Sequence, residues 1–293
     1  MTLARDDLAV MPAAAPARWT FDAKALIAVP GLVFMALAFA VPVLMLVGDS
    51  FVDRDGFSLA GYRKVLGDPY YIGIIGNSLQ LACITTAVCL AVGYPAAWAL
   101  ARIRGAWQVI LFALIFLPLT VSIVVKTFGL TIMMRRDGII NFLLVNLGFI
   151  ERPMRLVFTE FSLYFGMVNV FLPFMILPLY SVMRMLDPRL LDASASLGAG
   201  PVHTFLRVTL PLTMPGIIAG GTLVFSISVA AYVTPGLLVG DRFMTMSQVM
   251  AKAYLNIRDF QLGASMAVIM LVISAALILA SSYLVRTPGG ERR

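Results

Sequence analysis

Charge is scarce in this chain: only 13% of its 293 residues are Asp, Glu, Lys or Arg, whereas 60% are hydrophobic. A soluble protein of this length carries about twice that charged fraction. Histidine occurs once and cysteine twice. A membrane enzyme needs clustered carboxylates, histidines or metal ligands at the membrane surface, and this sequence does not supply them. We therefore predict no catalytic residue and no metal site.

The few reactive side chains are also poorly placed for chemistry. Cys83 and Cys89 lie six residues apart in one apolar run, and we expect both to be buried structural thiols. His203 lies in a polar stretch and is expected on the surface. The sequence has no G-x-x-x-x-G-K-[ST] run that could cradle nucleotide phosphates. Any energy from ATP must therefore come from another chain.

Long apolar runs make up most of the sequence. A helix that crosses a membrane needs about 20 mostly apolar residues, and six runs meet that requirement. Lys126 is the only charged residue within them. We predict an all-α integral membrane protein with six transmembrane helices. The six runs are Ala25–Gly48, Pro69–Ala101, Gly105–Val125 with its continuation past Lys126 to Met134, Phe161–Met183, Val208–Gly240 and Phe260–Val285.

Six crossings place both termini on one side of the membrane. Lys and Arg residues divide almost equally between the two sides, so their count does not determine the orientation by the positive-inside rule. The short loop Arg102–Arg104 carries only basic charges, which favours a cytoplasmic position for that loop and for the N-terminus. The net charge of +7 indicates loops that face anionic lipid headgroups and a cytosolic partner, rather than nucleic acid. We divide the chain into an N-terminal arm (1–24), a six-helix transmembrane domain (25–286) and a tail (287–293).

Two connections on the side away from the termini contain apolar segments that are too short to span. Gly138–Gly148 is expected to form an interfacial or re-entrant helix. In Phe243–Leu262, apolar residues recur at helical spacing, which predicts a second short surface helix. Two such helices on one side suggest a mouth or gate.

Residues 184–211, RMLDPRLLDASASLGAGPVHTFLRVTLP, form a polar island between two uncharged runs. Asp187 followed by Pro188 is a strong helix start, because the carboxylate can cap free N–H groups and proline loses nothing at the first helical position. Gly198 and Gly200 are expected to end that helix, and Pro201 to start another. The pattern predicts a helix–Gly–helix elbow over 187–211, although an ordinary amphipathic loop helix would have a similar pattern.

The spacing within the elbow resembles the signature loop of permease subunits of type I ABC importers. That pattern is Glu-Ala-Ala, three residues, Gly, nine residues, then Ile, any residue and Leu-Pro. Flanking stretches at 135–148, 172–180 and 223–240 resemble the spermidine/putrescine-type subgroup. The matching residues here are Asp192-Ala193-Ser194, Gly198 and Val208-Thr209-Leu210-Pro211, at the same intervals and with mild substitutions.

The resemblance implies several partners and an orientation. The elbow would be a coupling helix seated on a cytosolic ABC ATPase dimer, which holds ATP and Mg²⁺, so this chain itself needs no cofactor. A second permease, a distinct homologue in this subgroup, would complete the pathway, and an external solute-binding protein would deliver the solute. The elbow and both termini would be cytoplasmic, in a bacterial inner membrane. The implied coupling residues are Asp192, Ala193, Ser194, Gly198, Leu210 and Pro211.

Polar groups inside the bilayer are candidates for the transport pathway, because burying them in lipid is costly. Lys126 is the clearest candidate, although it could also snorkel to the interface or pair with a carboxylate such as Glu160. Polar residues in spanning helices often serve only to join helices. The weaker candidates are Asn77, Asn169 and Tyr232.

The predicted function is import of a small polar solute, either a polyamine or an amino-acid-like compound that bears a carboxylate. A cationic residue in the cavity would suit the carboxylate better. The alternative is a secondary transporter that acts alone on an ion gradient. Against it, the six runs contain no Asp or Glu to serve as the proton or sodium relay.

Overall fold

A computed structural model describes residues 23–53 and 56–286, so the predicted N-terminal arm and C-terminal tail lie almost entirely outside the described residues. This part of the chain is helical except for one two-stranded hairpin, β1 (Val52–Asp53) with β2 (Gly56–Phe57). The helices are α1 (Ala23–Ser50), α2 (Ala60–Gly67), α3 (Pro69–Arg102), α4 (Ala106–Phe116), α5 (Ile123–Met133), α6 (Ile139–Asn146), α7 (Glu160–Arg184), α8 (Pro188–Ser196), α9 (Pro201–Thr204), α10 (Leu210–Val229), α11 (Val233–Leu238), α12 (Met246–Lys252) and α13 (Phe260–Arg286).

Five helical stretches are long and apolar enough to cross a membrane: Val29–Ser50, Pro69–Arg102, Glu160–Arg184, Pro201–Val229 and Phe260–Ala280. A sixth crossing exists if α4 and α5 count as one span, although their axes differ by 104°. The six-span prediction is thus met, with the third span divided into two helices. The chain bends at a 3₁₀ turn, Leu117–Thr120, where Pro118 cannot donate a backbone hydrogen bond.

The fifth span is also displaced from its predicted range of Val208–Gly240. It begins earlier, because α9 continues through a π-helical turn (Phe205–Thr209) into α10 without a break at Pro211. It ends at Val229, and the chain resumes as the separate helix α11. Pro235 explains this end, since its ring would clash with the carbonyl of Ala231 in a continuous helix.

Helices α3, α7 and α10 form the centre of the bundle. Their buried side chains include Leu81, Met175 and Leu179. The helices α7 and α10 approach closely at Gly220, where a Cβ would lie 2.9 Å from Met175 Sδ and 3.1 Å from its carbonyl oxygen. Cys89 is buried in this core, but Cys83 is exposed on the outside of α3, so the expectation of two buried thiols was wrong for Cys83.

The short helices α2, α6 and α12 lie on the side opposite α8, and two of the three were predicted. The predicted interfacial helix at Gly138–Gly148 is α6, which Asn141 fastens by hydrogen bonds of 2.9 Å to the carbonyls of Arg135 and Met154. The helix predicted within Phe243–Leu262 is α12, which begins at a buried capping box of Thr245 and Gln248.

Candidate functional site: the elbow and the pathway residues

The first arm of the elbow is α8, and it begins as its sequence predicts. Asp187 Oδ1 accepts a hydrogen bond of 2.9 Å from the backbone N–H of Arg189, and Pro188 is the first helical residue. The helix ends before Gly198, whose φ of 79° lies in the left-handed region that favours glycine. The predicted helix–Gly–helix elbow is therefore present, with α9 as its second arm.

Ser194 joins the two arms of the elbow. Its side chain is buried, and its hydroxyl lies 2.9 Å from the hydroxyl of Thr204 on α9. The signature pattern has alanine at this position, which could not form that hydrogen bond. The substitution is thus more than a mild change of size, because it adds a contact across the bend.

The second arm is continuous with the fifth span and is held against α3. Phe205 packs edge-on against Tyr94, with ring centroids 5.6 Å apart. The Tyr94 hydroxyl also lies 3.0 Å from Thr213 Oγ1 in α10, about two helical turns beyond Phe205. The helix therefore runs from the second arm into α10 without an interruption. Leu210 and Pro211 lie at the start of α10, within this continuous segment.

The outer face of the elbow is apolar and exposed. Leu190, Ala193 and Leu197 share one face of α8, and Leu197 is 88% exposed. Met185, just before the elbow, is 86% exposed. Large apolar side chains on a short, charged loop are typical of a surface that a protein partner covers. Asp192 is also exposed, on the flank of the same helix.

Two of the four predicted pathway residues are close together. Lys126 Nζ on α5 donates a hydrogen bond of 2.9 Å to the backbone carbonyl of Asn169 on α7. Among the described residues Lys126 forms no ion pair, so the predicted pairing with Glu160 is absent. The ammonium is instead held against α7, the fourth span.

The other two predicted pathway residues do not take part in this hydrogen bond. Asn77 Nδ2 donates to the carbonyl of Met244, 3.3 Å away, and so joins α3 to the segment before α12. Tyr232 lies between α10 and α11 with 48% of its surface exposed. Asn77 thus serves as a link between elements, which was the alternative interpretation of such residues.

Other polar groups also lie on the central helices, and of these the buried hydroxyls were not predicted. Gln80 Nε2 lies 3.4 Å from the Tyr164 hydroxyl, which joins α3 to α7. The hydroxyls of Thr85, Thr86 and Ser228 are buried without a hydrogen-bond partner in the described part of the chain. Hydroxyl residues in apolar runs give little sequence signal, since helix carbonyls often satisfy them.

No protein-family model matches the chain. The chain is 36% identical over 253 residues to the spermidine/putrescine transport system permease protein PotB of Escherichia coli (strain K12). The matched region covers 84% of this chain and 92% of that protein. The chain is 34% identical over 254 residues to PotB of Haemophilus influenzae, with 84% and 87% covered. It is also 29% identical over 226 residues to the inner membrane ABC transporter permease protein YdcU of Escherichia coli, with 71% and 72% covered.

Solved structures show the same fold at low identity. A chain of a bacterial ABC transporter involved in the import of the acidic polysaccharide alginate matches with a TM-score of 0.71 at 14% identity, covering 90% of this chain and 95% of that one. A chain of the MetNI methionine ABC transporter in an inward-facing conformation matches with a TM-score of 0.55, covering 73% and 94%.

These likenesses agree with the signature spacing of the elbow and with the six apolar spans. The relatives are transporter components rather than enzymes, and YdcU is an inner-membrane protein. The chain therefore belongs to the family of the spermidine/putrescine permeases, and it is a multi-pass inner-membrane permease subunit of an ABC importer.

Proposed function

We propose that this permease forms, with a second and distinct permease, the pathway through which a polyamine enters the cell. An external solute-binding protein delivers the polyamine, and a cytosolic ABC ATPase dimer that holds ATP and Mg²⁺ drives the import. The observation that carries the substrate class is the 36% identity to a spermidine/putrescine permease over 84% of the chain. The polyamine itself has to be recognised largely outside this chain, because the spans carry acidic residues only at their ends, Asp49 and Glu160, and none in their interiors for ammonium groups.

The elbow is the element that couples this permease to the ATPase. Its exposed apolar face on α8 offers a docking surface, and Asp192 and Ala193 lie on that helix. Gly198 and the Ser194–Thr204 contact fix the angle between the arms, while Leu210 and Pro211 connect them to the fifth span. This role places the elbow in the cytoplasm and, with six crossings, both termini there too.

A carboxylate-bearing solute is the second candidate, and Lys126 favours it. An ammonium group repels polyamines and attracts carboxylates. However, the Lys126 ammonium already donates a hydrogen bond to the Asn169 carbonyl, so one of its N–H groups is not free to bind a solute. Candidate residues for contact with either solute are Lys126, Asn169, Tyr232 and Asn77, of which Asn169 and Tyr232 are exposed.

Reconstitution of the complete importer tests the proposal. Proteoliposomes that contain both permeases, the ATPase and the binding protein are expected to accumulate labelled putrescine or spermidine only when ATP is present on the ATPase side. Competition with unlabelled amino acids distinguishes the second candidate. Vesicles with this chain alone serve as the control and are expected to show no uptake. Gradient-driven uptake by the chain alone would establish the secondary transporter instead.

A further inference from the structure

A cleft of about 810 Å³ lies between the first arm of the elbow and the spans. The end of α3, the start of α4, the end of α7 and the helix α8 form its walls. We call it the arginine cleft, because its charged lining consists of Arg102, Arg104, Arg184 and Asp192.

The arginine cleft has an excess of positive charge. Three guanidinium groups face one carboxylate, and Asp192 forms no ion pair with any of them. The ion pairs found in the described ranges, Lys64–Asp259 and Lys252–Asp241, lie elsewhere. Arginine forks match the oxygens of phosphate groups, so an anion with several acceptor oxygens is the ligand that suits this cleft.

Neighbouring aromatic side chains hold two of the arginines in place. Arg184 Nη1 donates to the Tyr180 hydroxyl at 2.6 Å, and Gln108 Nε2 lies 3.2 Å from the same oxygen. The Arg102 guanidinium stacks 3.7 Å from the centre of the Trp98 ring. Stacking on a ring leaves the in-plane N–H groups of a guanidinium available to a ligand. The cationic groups are thus arranged before any ligand binds.

The mouth of the cleft borders a face of the protein that fits hydrocarbon. No residue of α4 is fully buried, and one of its faces is apolar and exposed, with Trp107 70% and Val109 69% exposed. Tryptophan is enriched where headgroups meet hydrocarbon, and Trp107 lies within a few residues of Arg102 and Arg104. A ligand with a phosphate in the cleft and apolar chains along α4 would satisfy both surfaces.

We propose that the arginine cleft binds the phosphate headgroup of an anionic phospholipid, with its acyl chains along α4. Basic pockets between spanning helices on the cytoplasmic side bind such headgroups in other membrane proteins. Leu191 and Asp192 on α8 line the same cleft, so a bound lipid would brace the elbow against α3 and α7. The binding site itself rests on the membrane fold, and only its effect on coupling rests on the proposed function.

Lipid retention on the full-length chain tests the site. The protein, with or without its partners, is exchanged into micelles with equal phosphatidylglycerol and phosphatidylcholine, and bound lipids are counted by native mass spectrometry. The wild type is expected to retain phosphatidylglycerol preferentially. Removal of two cationic groups by Arg102→Gln with Arg104→Gln is expected to weaken that preference by about tenfold or more. This double variant leaves the Arg184–Tyr180 hydrogen bond intact.

The matched control removes the same charge from the opposite side, by Arg135→Gln with Arg136→Gln, and is expected to leave the preference unchanged. Equal retention of the two lipids by the wild type would overturn the proposal without any variant. An equal loss of the phosphatidylglycerol preference in both double variants would also overturn the proposal. Displacement of the lipid by millimolar inorganic phosphate would show a site for free anions instead. Failure to co-purify an ATPase would count against the proposed function and not against this site.

Discussion

At the scale of single residues, the Ser194–Thr204 hydrogen bond decides how firmly the elbow keeps its angle. One such bond contributes about 1 kcal/mol. We expect Ser194→Ala to leave the permease inserted and folded but to raise ATP hydrolysis per solute imported, because the arms then move separately. Measurement of both rates in proteoliposomes checks this. Ser196→Ala is the control, since that exposed hydroxyl only bonds its own helix at the Asp192 carbonyl. Equal coupling ratios in the two variants would contradict the prediction.

Lys126 has two possible roles: it contacts the solute, or it holds α5 against α7. Its hydrogen bond to the Asn169 carbonyl favours the second role. We expect Lys126→Met to lower the melting temperature of the permease while the KM for polyamine uptake stays within about threefold, whereas Lys126→Arg keeps the donor and the stability. Thermal unfolding and uptake kinetics on the same samples check this. A large rise in KM at unchanged melting temperature would identify a pathway contact.

At the scale of elements, the elbow contains a matched pair of glycines. Gly198 has a φ of 79°, whereas Gly200 has a φ of −69°, and both have open space around them. A side chain at Gly198 costs about 1–2 kcal/mol from its backbone alone. We expect Gly198→Val to insert normally but to abolish ATP-driven uptake, and Gly200→Ala to transport as the wild type does. Uptake and ATPase binding are measured together, and wild-type uptake by Gly198→Val would refute the coupling role.

At the scale of the whole molecule, the close contact of α7 with α10 holds the bundle together. A larger side chain at Gly220 meets Met175 at under 3.2 Å, whereas Gly221 next to it has only Thr86 at 3.8 Å. We expect Gly220→Val to destabilise the bundle by about 1–3 kcal/mol and Gly221→Ala to be tolerated. Thermal unfolding in detergent measures both. Comparable melting temperatures would show that the two helices can separate without cost.

The sequence by itself determined the class of the protein, the elbow and the family. Long uncharged runs have few alternatives to membrane helices, and the Asp187-Pro188 start and Gly198 end act locally, through capping and backbone conformation. The tertiary structure alone decided how far the third span bends and which polar groups meet. Pro118 and Pro235 mark the places where the third span bends and the fifth ends, but a proline in an uncharged run does not determine a change of direction as large as 104°. Contacts such as Lys126 with Asn169 depend on the packing of α5 against α7, which no local pattern encodes.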